Sequence, residues 1–159
     1  MHVGITGHRD LSPSCERLVR RSIASELDGL DILITGYRSL AAGADQLFAE
    51  VVLERGGQLV VVIPSENYES SFTDSVAALR FKTLLNRAIS TTCLPYSQPS
   101  EQAYWAAGQE IVKSSDLVLA VWDGKPAGGL GGTADVVEHA RTRGKPVKVI
   151  WRAGCRRTG

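Results

Sequence analysis

Cysteine is sparse in this chain, and the three present, Cys15, Cys93 and Cys155, are scattered and odd in number. They lack metal-ligand spacing, so reduced thiols are the simplest expectation. Long apolar runs are missing as well. No segment approaches membrane-spanning length, and the chain opens on a strand-like segment rather than a charged head with an apolar signal core. A cytoplasmic location, with no membrane partner, is the resulting expectation. There is no excess of one charge either: eighteen Lys and Arg face seventeen Asp and Glu. Without a general basic field, nucleic acid is not the expected partner.

Several signatures of chemistry are also missing. His2, His8 and His139 have no ligand spacing, so no metal is expected. No serine sits in a nucleophile-elbow sequence. The first strand is not followed by Gly-x-Gly-x-x-Gly, and no P-loop lysine sequence occurs. No cofactor is implied by these motifs. Internal repeats, low-complexity tracts and linkers are absent, and 159 residues suit a single domain with a real core. The domain is expected over residues 1–152, with 153–159 a small basic tail.

What the chain does have is a regular alternation of aliphatic runs and amphipathic segments. His2 to Thr6 reads as a first strand. Ser12 and Pro13 start a helix whose stripe is Leu18, Val19, Ile23 and Leu27. Asp31 to Thr35 reads as a second buried strand, followed by a loop from Gly36 to Gly43 and a helix from Ala44 to Arg55, stopped by Gly56 and Gly57. Gln58 to Ile63 is a third strand, closed by Pro64. A helix from about Thr73 to Ala88 is expected to turn Val76, Leu79, Leu84 and Leu85 inward. Ser90 to Leu94 is a weaker strand, and Ser100 caps a helix to about Ser114. Leu117 to Trp122 is a continuous apolar run, the mark of a strand buried on both faces. Beyond it come a glycine-rich loop (Gly124, Gly128, Gly129, Gly131, Gly132), an expected N-cap at Thr133, a helix to Arg143 and a last strand from Val147 to Trp151.

Strands alternating with helices on short connections give parallel strands joined by right-handed crossovers. The fold class is therefore α/β: a doubly wound, mostly parallel sheet with helices on both faces, Rossmann-like. The first strand is expected in the centre, between the Ile32–Ile34 strand and Leu117–Val121. Ligands of such sheets sit beyond the carboxyl ends of the strands, near the switch in strand order. That brings together the loops Gly7–Asp10, Gly36–Asp45 and Asp123–Thr133.

Each loop carries residues suited to an anionic ligand. Gly7 exposes backbone at the strand end, and Arg9 can bind a phosphate through two parallel hydrogen bonds, with His8 between them. In the second loop Gly43 lets a ligand approach backbone amides. Asp45 either accepts from a ribose hydroxyl or caps the helix. In the third, Gly131, Gly132 and Thr133 place amides and a hydroxyl at a helix start. Asp135 and Glu138 lie on adjacent turns of that helix. Beside a phosphate such carboxylates suit a sugar hydroxyl, an activated water or a solvated face.

Gly4-Ile5-Thr6-Gly7-His8-Arg9, Leu40-Ala41-Ala42-Gly43-Ala44-Asp45-Gln46 and Val121-Trp122-Asp123-Gly124-Lys125-Pro126 with Gly131-Gly132-Thr133 together resemble the SLOG superfamily. These Rossmann-like domains include the LOG phosphoribohydrolases, molybdenum-cofactor carrier proteins and DNA-processing A proteins. The resemblance runs to about Ile150 and takes in Pro64, Tyr68 and Phe72 in the loop after the third strand. It implies binding of a nucleotide or nucleotide derivative, by a sensor, a carrier or an enzyme, with phosphate at Gly131–Thr133 and a ligand contact from Tyr68 and Asp123. Relatives of this kind are commonly homodimers or homotetramers. If the chain is an enzyme, the implied reaction is hydrolysis of the N-glycosidic bond of a nucleoside 5′-monophosphate. LOG enzymes place a catalytic glutamate where this chain has Val136, so Asp135 and Glu138 are the candidate catalytic carboxylates.

Overall fold

A computed structural model of the chain describes residues 1–126, 129–151 and Cys155. Gly128 of the glycine loop, and the expected basic tail apart from Cys155, lie outside the described residues. Six strands, β1 (His2–Gly7), β2 (Thr35–Arg38), β3 (Gln58–Ile63), β4 (Ser90–Cys93), β5 (Leu117–Val121) and β6 (Val147–Ile150), form one sheet in the order β4-β3-β2-β1-β5-β6. Every pairing is parallel. The order reverses at β1, which lies between β2 and β5, so the switch point falls where the sequence places it.

Among the described residues five α-helices cover the sheet: α1 (Pro13–Asp28), α2 (Ala44–Glu54), α3 (Ser75–Leu85), α4 (Glu101–Ser114) and α5 (Thr133–Thr142). α2 packs against both α1 and α3, whereas α4 packs against α5. All five residues of β5 are buried, as a strand covered on both faces requires. The main core joins β1, α1, α2, β3 and β5 through residues such as Val3, Val19, Ile23, Phe48, Val51, Leu59 and Leu119. Ser12 caps α1 by accepting from the Cys15 amide, with Pro13 opening the helix.

Three readings are corrected. The second strand runs from Thr35 to Arg38, not Asp31 to Thr35. Asp31 adopts a left-handed φ of 46°, Ile32 and Leu33 are exposed, and pairing with β1 begins only at His2 opposite Thr35. In α3 the buried stripe is Ala77, Phe81 and Leu84, while Val76 and Leu79 face outward. Cys15 and Cys155 are joined in a disulfide, leaving Cys93 as the exposed free thiol. The sheet order accounts for that pairing: α1 packs against β6, and Cys155, five residues past the end of β6, meets Cys15 in the first turn of α1.

Candidate functional site

A cleft of about 480 Å³ opens at the carboxyl ends of the strands. Its walls come from the ends of β1 and β3, the loops after β2 and β5, the inner face of α4 and the first turn of α5. The size suits a small organic ligand.

The end of β1 is fixed by close packing. A Cβ on Gly7 would lie 2.5 Å from the Cβ of Ala44 and 2.8 Å from that of Val121, so only glycine lets β1 pass between α2 and β5. His8 follows, buried, with its amide donating to the Val121 carbonyl at 3.1 Å. The His8 Nε2 accepts from the Asp123 amide at 3.1 Å and lies 3.3 Å from that residue's Oδ1. The ring also meets Trp151 edge-on at 5.3 Å. His8 thus ties the first and third loops together. Arg9 is exposed at the cleft rim, its guanidinium 4.7 Å over the Tyr104 ring.

The start of α2 is turned to holding the first loop. Gly43 takes a φ of 78°, and any Cβ there would come within 2.6 Å of the His8 carbonyl oxygen and 2.5 Å of that of Arg9. The Ala44 amide donates to the His8 carbonyl at 3.2 Å. Asp45 is buried but reaches the cleft, and its Oδ2 accepts from the amides of Ser39 at 3.2 Å and Ala41 at 3.4 Å. Burial pushes its carboxyl up to about 6, opposed by those two bonds and by the charges of Arg38 and Arg9. Tyr68 is also buried, with its ring edge-on to Phe72, Phe81 and Tyr104. Burial and the nearby Asp45 raise its phenol well above the ordinary range.

The third wall supplies the amides. α5 is capped by Gly132, and among the described residues no side chain caps its first turn. Gly131, Gly132, Thr133 and Ala134 all line the cleft. Gly131 has a φ of 81°, and a Cβ there would stand 2.8 Å from the Trp105 amide nitrogen, so the loop lies directly on the start of α4. Lys125 contributes a second cation to the lining. Its segment is fixed by the Trp122 indole donating to the Lys125 carbonyl and by the Lys125 amide donating to Asp123 Oδ1.

The expected site residues therefore fall into three groups. Gly7, His8, Arg9, Asp45, Tyr68, Gly131, Gly132 and Thr133 line the cleft together. Gly43 and Asp123 stand behind the lining and brace it. Gly36, Asp135 and Glu138 lie elsewhere. Gly36 sits inside β2, where a Cβ would strike Phe48 at 2.8 Å. Asp135 Oδ2 accepts from the Gly131 amide at 3.0 Å, closing the glycine loop onto its own helix. Glu138 is exposed. Thr133, the expected N-cap, is instead the first helical residue.

Sequence reasoning missed Ser39, Tyr104 and Lys125 as lining residues. Lys125 stood within the resembling Trp-Asp-Gly-Lys-Pro stretch and had a signal. Tyr104 reads from sequence as an amphipathic-helix aromatic, and only the placement of α4 beside β1 aims it at Arg9. Among the described residues, no group of three or more His, Cys, Asp or Glu is placed to hold a metal ion.

No family model matches the chain, and no curated protein sequence matches it. Solved structures do. It is similar to DNA processing protein A from Streptococcus pneumoniae, at 20% identity and a TM-score of 0.67 over 96% of this chain and 51% of that one. The DNA processing protein A of Helicobacter pylori, described by its single-stranded DNA binding mode, gives 18% identity and 0.69 over 97% of this chain and 67% of that one. The molybdenum cofactor binding protein of Rippkaea orientalis gives 15% and 0.59 over 93% and 74%. The chain thus spans about half the length of the pneumococcal protein. At these identities the likeness establishes the fold, and it is the fold of the groups that the loop motifs resemble.

Proposed function

We propose that this SLOG-type domain binds a phosphate-bearing nucleotide or nucleotide derivative in the cleft, as a carrier or sensor. The observation that carries the reading is the start of α5. A helix whose first-turn amides receive no side-chain cap from the described residues, opening on glycines inside a cleft, is a ready site for an anion. Arg9 and Lys125 on the same lining add charge-assisted donors. Across the cleft, Asp45, Ser39 and Tyr68 offer polar groups for a sugar, with Tyr104 as a flat apolar surface beside Arg9.

Turnover is the second reading, and the geometry supports it less. Hydrolysis of an N-glycosidic bond needs an ionised carboxylate beside the sugar to stabilise an oxocarbenium-like transition state. The carboxylate of Asp135 is occupied by the Gly131 amide, and Glu138 faces solvent.

Calorimetry with nucleoside mono-, di- and cyclic phosphates tests the proposal, with molybdenum cofactor and a single-stranded oligonucleotide as further arms. The expected result is saturable binding of at least one small ligand without release of free base on prolonged incubation. Folded protein that binds none of the small ligands would overturn the reading, and chromatographic detection of free base would replace it with the enzymatic one. Oligonucleotide binding that falls steeply with salt would favour a phosphate-backbone site instead.

A further inference from the structure

Buried polar groups in a folded chain nearly always have partners, and one left open marks a place that a ligand or water completes. Two such groups stand in the wall of the cleft. Asp45 is 8% exposed and Tyr68 2%. One carboxylate oxygen of Asp45, Oδ2, is taken by the amides of Ser39 and Ala41. Among the described residues Asp45 Oδ1 receives no hydrogen bond, and the Tyr68 hydroxyl has no partner. Neither atom is sealed from solvent, and both residues line the cleft, so the cleft is what these atoms open onto.

Their chemistry defines what completes them. An ionised carboxylate oxygen only accepts, so the incoming group must donate to Asp45. A phenol carries a proton to donate, so the same group must also accept from Tyr68. Ser39, whose amide already holds Asp45, adds a second hydroxyl to the lining. A hydroxyl meets both demands. Two adjacent hydroxyls can donate to the one open oxygen while accepting from Tyr68 and Ser39. Position narrows the choice further. The charge of Arg9 acts on both Asp45 and Tyr68, so its guanidinium lies near the pair. In a nucleotide whose phosphate meets Arg9 and the α5 amides, the part bonded directly to that phosphate is the sugar. The flat surface for a base is Tyr104, beneath Arg9.

Given nucleotide binding in this cleft, on which the step rests, we infer that Asp45, Tyr68 and Ser39 read the vicinal hydroxyls of a ribose. The cleft therefore takes ribonucleotides and discriminates against their deoxy counterparts. A deoxyribose would leave a buried carboxylate oxygen or phenol unpaired, and a site built to bond a hydroxyl rejects the analogue that lacks it.

Calorimetry with the common ribonucleoside 5′-monophosphates, each beside its 2′-deoxy and 3′-deoxy forms, tests this at a pH above the Asp45 value of about 6. Whichever base binds best, removing a hydroxyl should weaken binding by about tenfold to a hundredfold, the loss of a hydrogen bond to a charged group. Asp45→Asn keeps an acceptor for the Ser39 and Ala41 amides but turns a donor toward the cleft, so the ribose-to-deoxyribose ratio should collapse. Tyr68→Phe should lower that ratio in part. Variants that weaken ribose and deoxyribose forms alike, with the wild-type ratio kept, would show a structural role and overturn the inference. Equal affinity of the wild type for both sugars also overturns it, and leaves nucleotide binding standing. Folded protein that binds no nucleotide removes both.

Discussion

Asp135 accepts the backbone amide of Gly131 at 3.0 Å, across the turn that opens α5. A carboxylate in a first helical turn is favoured by the positive end of that helix, and here it also fixes a loop residue held at a φ of 81°. Its effect on the site is therefore to shape the amides around the cleft. Asp135→Ala should weaken nucleotide binding several-fold and lower stability by about 1.5–3 kcal/mol, the size of a hydrogen bond to a charged group. Asp135→Asn, which keeps an acceptor, should recover most of both. Glu138→Ala should change neither. Calorimetry and denaturant titration of the three variants check this, and unchanged binding in Asp135→Ala would remove the loop-shaping role.

How much of this was legible in the sequence depends on the range of the signal. Leu117–Val121, Gln58–Ile63 and the Ser12–Pro13 helix start are local patterns, and they appear where they were read. Ile32 and Leu33 have the composition of a buried strand, but the left-handed Asp31 delays the strand until Thr35, a backbone event that hydropathy does not encode. Val76 and Leu79 have helical spacing and still face outward, because Ala77, Phe81 and Leu84 supply the stripe that α2 and Tyr68 cover. For the site, the glycines and Arg9 were legible because their chemistry is local. The roles of Asp135 and Tyr104 depend on which neighbour each one meets in space.

The same long-range limit explains the cysteines, and it leads to a second prediction. Cys15 and Cys155 are 140 residues apart in sequence. Closing so long a loop restricts the unfolded chain, which typically stabilises a domain by about 2–4 kcal/mol. Reduction, or Cys155→Ser, should lower the denaturation midpoint by the corresponding amount. Unreduced protein unfolded in denaturant should expose one titratable thiol, Cys93, rising to three after reduction. Three reactive thiols before reduction would show that the bond does not form.

Asp45 gives the stability a dependence on pH. Its carboxyl is pushed up from 3.8 to about 6 by burial, and the charged groups facing it are Arg38, from β2, and Arg9, from the first loop. Arg38 is itself fully buried, which lowers it to about 9, and it donates to the Val60 carbonyl at 3.2 Å. A carboxyl raised in the folded state keeps its proton where the unfolded chain has released it. Its contribution to stability is therefore complete below about pH 4 and lost as pH rises through about 6. Denaturant midpoints measured across that window should fall more steeply for wild type than for Asp45→Asn, where no titrating group remains at the position. Parallel pH profiles would refute the assignment.

Arg9 supplies the sharpest separation between binding and folding. It is exposed at the rim of the cleft, yet its guanidinium is held 4.7 Å over Tyr104, so its planar fork is oriented before any ligand arrives. A phosphate at the α5 amides would meet a positioned arginine, and little side-chain freedom remains to be lost on binding. Arg9→Ala should weaken binding of a nucleotide about tenfold or more, the effect of losing a charge-assisted hydrogen bond, while the melting temperature stays unchanged. Arg9→Lys should recover only part of the affinity, because a lysine keeps the charge but neither the fork nor the stacked geometry. Tyr104→Phe should bind as wild type, since the ring face is retained, whereas Tyr104→Leu should fall between wild type and Arg9→Ala. Calorimetry on these four variants with the best ligand from the panel orders them, and an Arg9→Ala protein that binds as tightly as wild type would place the phosphate away from this rim.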